Sequence, residues 1–370
     1  MRITRALKPY VPKALHPHYR KLRELVVRWT SGPKSYQDRI RAELVNYSGT
    51  ANVHELPPIM NYWSNKHLVP VIKTFGFGNS IEMFRTYIAR VCTERPEETC
   101  RILSIGAGDS ATEINIAQWL FERNIRNFQF ECLDLNPEVL DRGRSAAAKK
   151  EFADRFEFST FDINSWKPGL QYHIILAIQC LHHFVELELL FDKIHNALHP
   201  DGFFLTDDMI GRNGHQRWPE ALKFVQKFWE ELPDSYRYNN GLKRTDQRYE
   251  DWDCSVAGFE GIRAQDILPL LLERFHFDFF FGFGNIIDIF VDRVFGPNFD
   301  PNREWDRDFI DRIHAADVRE IESGRLKPTH IYAAMMKRPS SNPKFHKHLT
   351  PEFSVRMPDK YPGKGKSNVR

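Results

Sequence analysis

The 370 residues carry a net charge of +3, are 42% hydrophobic and 13% aromatic, and include 29 phenylalanines, which excludes a chain disordered throughout. Five scattered cysteines (Cys92, Cys100, Cys132, Cys180, Cys254) without any CxxC spacing argue against a disulfide framework or a structural zinc site and fit a reducing cytoplasm. The ends are basic, +9 over residues 1–41 and +5 over 339–370, leaving −11 for the body, a balance that argues against a nucleic-acid enzyme.

The chain opens with an irregular arm containing Pro9, Pro12 and Pro17. Leu22, Leu25, Val26 and Trp29 then fall at helical spacing among basic residues, a short amphipathic helix suited to packing on the body or to a membrane surface or partner. No apolar run is long enough to span a bilayer, and no secretory h-region is present, so the expectation is a cytoplasmic protein, with peripheral contact at the inner membrane face left open. Residues 1–58 read as arm and helix, and residues 59–98 as a helical cap, helical from Tyr62 to Ala89 around a break at Gly76 and Gly78.

From Arg101 the pattern alternates strand and helix, the signature of a doubly wound α/β sheet, mostly parallel. Strands are expected at Arg101–Ile105, Phe128–Asp134, Phe156–Phe161, Tyr172–Gln179 and Gly202–Thr206. Helices are expected at Ala111–Arg123, Pro137–Lys150 and Leu187–Leu198. Residues 208–263 lack a clean period and read as an insertion after the fifth strand. Helix Ala264–Arg274, a buried Phe-rich strand His276–Phe283 and a last strand His330–Met336 complete the domain at about residue 338. Residues 339–370 read as a basic flexible tail.

The motif Ile102-Leu103-Ser104-Ile105-Gly106-Ala107-Gly108-Asp109 sets two glycines between a buried strand and a helix, where a tight turn must lie against a ligand. The second strand ends in Asp134, placed for a ribose. Ala111 stands where the GxGxxG form has its third glycine, which disfavours a pyrophosphate, and with it a nicotinamide dinucleotide, and favours a nucleoside without phosphates.

On these residues the run from Arg101 to about Gly211 resembles the class I S-adenosylmethionine-dependent methyltransferases, with their Rossmann-like sheet and antiparallel last strand. The resemblance implies cofactor contacts from Gly106, Ala107, Gly108, Asp109, Asp134, Leu135, Asp162, Ile163 and Gln179. It also places the transferable methyl near Gln179-Cys180-Leu181-His182-His183, while Leu198-His199-Pro200-Asp201-Gly202 resembles the turn before strand five. More narrowly, Trp63-Ser64-Asn65-Lys66, Asp208 to Glu220 and Gly258 to Arg263 resemble a group of bacterial methyltransferase-like proteins often associated with glycosyltransferases of surface polysaccharide assembly.

Candidate bases for an acceptor are His183 first, then His215 and Asp208, with His182 and Asp207 beside them. Arg212, Asn213, Arg217 and Trp218 offer fork donors, an amide and an aromatic face to a polar acceptor, so the expected reaction is O-methylation of a saccharide or related metabolite. A metal is not expected, because adjacent residues on a strand point to opposite faces and the His182-His183 and Asp207-Asp208 pairs would each supply at most one ligand. The alternative is a non-catalytic nucleoside-binding partner that docks a glycan-assembly enzyme through the basic N-terminal helix.

Overall fold

The computed structural model describes residues 38–41, 56–162, 166–256 and 258–358. The chain divides into two compact units, 1–47 and 48–370. In the first, residues 38–41 form a helical turn with an Arg41–Asp38 ion pair, and the expected arm and Leu22–Trp29 helix lie outside the described residues.

The second unit begins with α1 (Pro58–Trp63), which runs through a π-helical turn (Ser64–Leu68) into α2 (Val69–Lys73). Gly76, at φ +94°, ends this run in a conformation that L residues seldom adopt. The next helix, α3 (Ser80–Glu94), starts where Asn79 accepts the Glu82 N–H, and it buries Met83, Phe84, Tyr87, Ile88, Val91 and Cys92.

The core then alternates β1 (Cys100–Ile105), α4 (Ala111–Glu122), β2 (Phe128–Asp134), α5 (Pro137–Ala147), β3 (Phe156–Thr160), β4 (Tyr172–Ile178), α6 (Leu187–Ala197) and β5 (Leu198–Met209). After β5 come α7 (Pro219–Glu231) and a small hairpin of β6 (Tyr238–Asn239) and β7 (Arg244–Thr245). The chain re-enters the sheet through α8 (Ala264–Arg274) and β8 (His276–Phe283). It leaves again through α9 (Asp288–Val291) and α10 (Glu304–Glu322), then closes with β9 (His330–Met336), β10 (Lys344–Phe345) and α11 (Pro351–Ser354).

The eight-stranded sheet has the order β10-β8-β9-β5-β4-β1-β2-β3. It is parallel except at β9, which runs antiparallel to both β5 and β8. This is the doubly wound, Rossmann-like α/β architecture that the strand-helix alternation predicts, with His330–Met336 as the antiparallel strand. Side chains alternate to two apolar layers, as strands buried on both faces require. Ile102, Phe130, Ile174, Leu176, Phe203, Leu205 and Phe279 face α3, α4 and the insertion. Leu103, Ile105, Ile175, Ala177, Phe204 and Phe280 face α6 and α8. Among the described residues no helix is long and apolar enough to cross a membrane.

Three stretches differ from expectation. The fifth strand extends to Met209, because β9 pairs with it as far as Met209↔His330, and this carries Asp207 and Asp208 into the sheet. The segment between β8 and β9 contains a 19-residue helix, α10, whose buried face includes Asp306, Asp317 and Glu320 as well as Phe309, Ile310 and Ile313. The stretch after Pro339 is no loose tail as far as residue 358. There β10 pairs with β8, Leu349 is buried, and Thr350 caps α11.

Asp317 on α10 accepts the N–H groups of Asn285 and Ile286, and burial pushes its carboxyl up to about 7. A carboxyl whose folded pKa lies above its unfolded value favours the fold in its protonated form, so that contribution is full at low pH and is lost as pH rises through the folded pKa. Urea midpoints are therefore expected to fall between about pH 4 and about pH 7, and Asp317→Asn, which cannot ionise, should flatten that fall. Parallel profiles for both proteins would contradict it.

Candidate active site

The crevice is formed where β1 ends. Gly106 and Gly108 hold φ +65° and +56°, and a Cβ built on Gly106 would stand 2.8 Å from Cys180 Cβ, so only glycine lets β1 and the β4 turn approach so closely. The Ala107 N–H donates to Leu133 O, zipping the loop to β2. At the tip of β2, Asp134 accepts the Gly108 N–H on one carboxylate oxygen (2.9 Å) and the Asn136 N–H on the other (2.8 Å). A carboxylate so clamped is pre-set in orientation, with both oxygens held at the tip of β2. Asn136 in turn caps α5. Asp109 accepts the Ala111 N–H at the start of α4, and Leu135 lies half-buried beside Asp134. Behind the loop, Ser104 donates to the buried Glu113, whose carboxyl burial raises to about 7.

The other expected cofactor residues fall around this crevice. Asp162 follows β3, its carbonyl accepting the Trp166 N–H. Ile163 lies outside the described residues. Gln179 sits exposed at the end of β4 with φ +51°, held by Asp207, which accepts both its backbone N–H through the carbonyl and its side-chain amide through Oδ1.

Asp208 points to the opposite face from Asp207 and is fully buried. Its Oδ2 accepts the N–H groups of Cys180 (2.9 Å) and Leu181 (2.7 Å), and its Oδ1 accepts from Met209 N–H and stands 2.6 Å from His182 Nδ1. Leu181–His183 form a 3-10 turn. The two imidazoles therefore are not sent to opposite faces as on a strand; their ring centroids lie 4.3 Å apart. Both approach Glu260, His182 Nε2 at 3.5 Å and His183 Nε2 at 3.5 Å, and His215 Nε2 stands 2.7 Å from the same carboxylate.

Burial works against charge on His182, but the carboxylates of Asp208 and Glu260 outweigh it and raise its pKa to about 10. Glu260 is held well below the usual carboxylate range despite burial, by hydrogen bonds from His182 and His215, while burial lowers His215. The loops bearing these groups are sewn together: Ile262 N–H donates to His182 O, and Gly214 N–H to Gly261 O. His215 itself takes a left-handed φ of +54°.

The residues expected to bind an acceptor are mostly spent on packing. Arg217 is buried and donates to Asn285 O, Asp288 and His215 O. Asn213 pairs with Gln265 through reciprocal backbone and side-chain bonds. Trp218 is buried between the guanidiniums of Arg212 and Arg356. Arg212 also donates to Arg217 O and keeps some exposure. Glu260, the hub of the cluster, is absent from the candidates that sequence reasoning supplies; the Gly258-Phe259-Glu260-Gly261 run carries no local chemical signature.

A family model described as a methyltransferase domain matches residues 103–204, the stretch containing the glycine turn, Asp134 and the His182-His183 turn. Over those residues the chain is similar to methyltransferase domains. Among curated proteins, the iterative polyketide synthase afoE of Emericella nidulans is 25% identical over 175 residues, 45% of this chain and 6% of that protein. Citrinin polyketide synthase of Monascus ruber is 34% identical over 147 residues, 38% of this chain and 5% of that protein. The chain thus spans less than a tenth of the length of these relatives. Among solved structures, the O-methyltransferase from a trans-AT polyketide synthase multienzyme of Brevibacillus brevis, in complex with S-adenosyl-L-homocysteine, superposes with a TM-score of 0.42 at 15% identity, covering 83% of this chain and 90% of that one.

Asp134→Ala should weaken S-adenosylhomocysteine binding by about 1.5–3 kcal/mol, the range for hydrogen bonds to a charged group. Gly106→Ala should abolish binding and lower stability by about 1–3 kcal/mol through overpacking against Cys180. Calorimetric titration and thermal melts read both, and an unchanged affinity in Asp134→Ala would take that carboxylate off the ribose.

Proposed function

We propose that this domain methylates an enolisable acceptor, a carbon acid flanked by carbonyls, using the imidazole and carboxylate cluster at the β4 and β5 ends to take the acceptor's proton. The observation that carries the reading is the contact between Gly106 and Cys180, two residues before His182, which sets the cluster at the mouth of the cofactor crevice. S-Adenosylmethionine, when bound, supplies an electrophilic methyl on a sulfonium. The glycine turn offers backbone with no Cβ in the way, and Asp134 offers its two oriented oxygens, so the residues present fit a nucleoside of this kind.

Each residue of the cluster has a distinct task. Asp208, buried and committed to four donors, positions the turn and the His182 ring and touches no acceptor. His183, with 18% of its side chain exposed, is the imidazole that takes the proton. Glu260 and His215 hold the far side of the pocket.

The polyketide synthases among the relatives favour a carbonyl-flanked acceptor. A saccharide hydroxyl, the acceptor expected from the sequence, rested on Arg212, Asn213, Arg217 and Trp218, and the last three close the insertion instead. The glycosyltransferase setting rests on the sequence resemblance alone, and the basic N-terminal helix lies outside the described residues.

The test is release of S-adenosylhomocysteine by the full chain given labelled methyl donor and a panel of β-dicarbonyl, phenolic and sugar acceptors. Turnover is expected on the first class, and His183→Ala should cut it by about 10²–10⁴-fold, the span of general base catalysis, with donor affinity unaltered. Donor binding without turnover on any acceptor would mark a non-catalytic nucleoside-binding protein, and full activity in His183→Ala would remove that histidine from the chemistry.

A further inference from the structure

We propose that His182, His215 and Glu260 form a binding site for one divalent first-row transition-metal ion beside the methyl acceptor. One nitrogen from each imidazole and one oxygen of Glu260 lie within 4.8 Å of one another. The closest pairs are His215 Nε2 to Glu260 Oε1 at 2.7 Å and His182 Nε2 to Glu260 Oε1 at 3.5 Å. Ligand atoms at about 2.0–2.2 Å from a common ion stand roughly 3 to 3.5 Å from each other, so closing a separation of up to 4.8 Å by about 1–2 Å completes the set.

Three further features belong to a metal site rather than to a chance meeting of polar groups. His182 commits Nδ1 to the buried Asp208 at 2.6 Å, which turns Nε2 toward the other two ligands. That carboxylate–histidine–ion arrangement fixes tautomer and ring orientation in metalloproteins. Second, the two loops that bring His215 and Glu260 together are rigidly joined. The Gly214 N–H donates to Gly261 O, and a Cβ on Gly261 would stand 3.0 Å from His215 N, so the ligands are placed before any ion arrives. Third, Asp208 and Glu260 together carry the two negative charges that balance a divalent ion once the imidazoles are neutral.

Two imidazoles and one carboxylate leave coordination positions open on the ion. The carbonyl oxygens of the proposed acceptor are ligands of the right kind to fill them, which would bring the acidic carbon to a fixed place before the crevice. The ion site stands on the ligand geometry, and only this role for it rests on the proposed function.

The experiment uses the full chain stripped with a chelator. Co²⁺, Zn²⁺ and Mn²⁺ are titrated by calorimetry, with Co²⁺ also followed by its visible absorption, and S-adenosylhomocysteine is titrated into the same stripped sample. One ion per chain is expected, with affinity falling at least tenfold in His215→Ala and in Glu260→Gln, and about 10–100-fold in Asp208→Asn, the usual cost of losing a group that orients a ligand. Thermal melts of the metal-free variants separate lost ligation from lost fold, and His215→Ala, on a loop outside the sheet, serves if Asp208→Asn does not fold. No binding of any of the three ions, or binding unaltered in His215→Ala and Glu260→Gln, overturns the site. Failure of the stripped protein to bind S-adenosylhomocysteine would instead strike at the methyl-donor reading, and the two results are read independently.

Discussion

One buried carboxylate organises the reactive edge of this sheet. Asp208 sits at the end of β5 with no exposure, a placement tolerable for a charge only when its lone pairs are filled. Three backbone N–H groups and one imidazole fill them. The turn after β4 cannot relax without uncovering the charge, and breaking a buried pair of this kind costs about 3–5 kcal/mol. Two consequences follow from that rigidity. Cys180 is held where it can meet Gly106, and the His182 ring is held in one orientation. The cofactor crevice and the polar cluster are thus two sides of one short turn, and their spacing is set by the fold before any ligand binds.

The alternation of side chains along β5 divides the labour. Asp207, one residue earlier, faces the other layer and clasps Gln179 by main chain and side chain. Strand register therefore sends Asp207 to Gln179 and Asp208 to the His182 ring from adjacent positions of one strand. The extension of β5 by its antiparallel pairing with β9 makes both positions part of the sheet. A strand ending at Thr206 would leave each aspartate on a mobile loop, with neither partner assured.

Much of this was legible in the sequence because it is local. A glycine turn after an apolar strand, an aspartate at the next strand's tip and a proline at the following helix start are each signalled within a few residues, and the sheet and its helices appear where the periodicity puts them. What was hidden depends on contacts between distant segments. His182 and His183 read as strand residues facing apart, and the 3-10 turn that brings them together is imposed by Asp208, 26 residues beyond His182. Glu260 is 45 residues from His215 and has no motif of its own. Helix α10 escaped notice because Asp306, Asp317 and Glu320 occupy its buried face and break the apolar stripe, each of the aspartates being satisfied by backbone N–H groups that only the fold supplies. The segment 344–354 is too short in each element to show a period, and its order comes from β8 and the α11 cap.

The insertion after β5 shows why polar composition alone misleads about binding. Arg212, Asn213, Arg217 and Trp218 have the chemistry of an acceptor site, yet the same chemistry closes a loop when the partners are protein groups. For Arg217 the partners are counted: two carbonyls and the Asp288 carboxylate, all within about hydrogen-bond range of a buried guanidinium. Its Nε has no partner but is buried, so the guanidinium presents no donor at the surface to a ligand. Its use is indirect, because the bond from Arg217 to His215 O holds the backbone of a residue in the left-handed region, where a non-glycine conformation costs free energy and needs support from its surroundings. The packing residues of the insertion therefore serve the site by holding His215, and through the paired glycines Glu260, against a turn that belongs to the sheet.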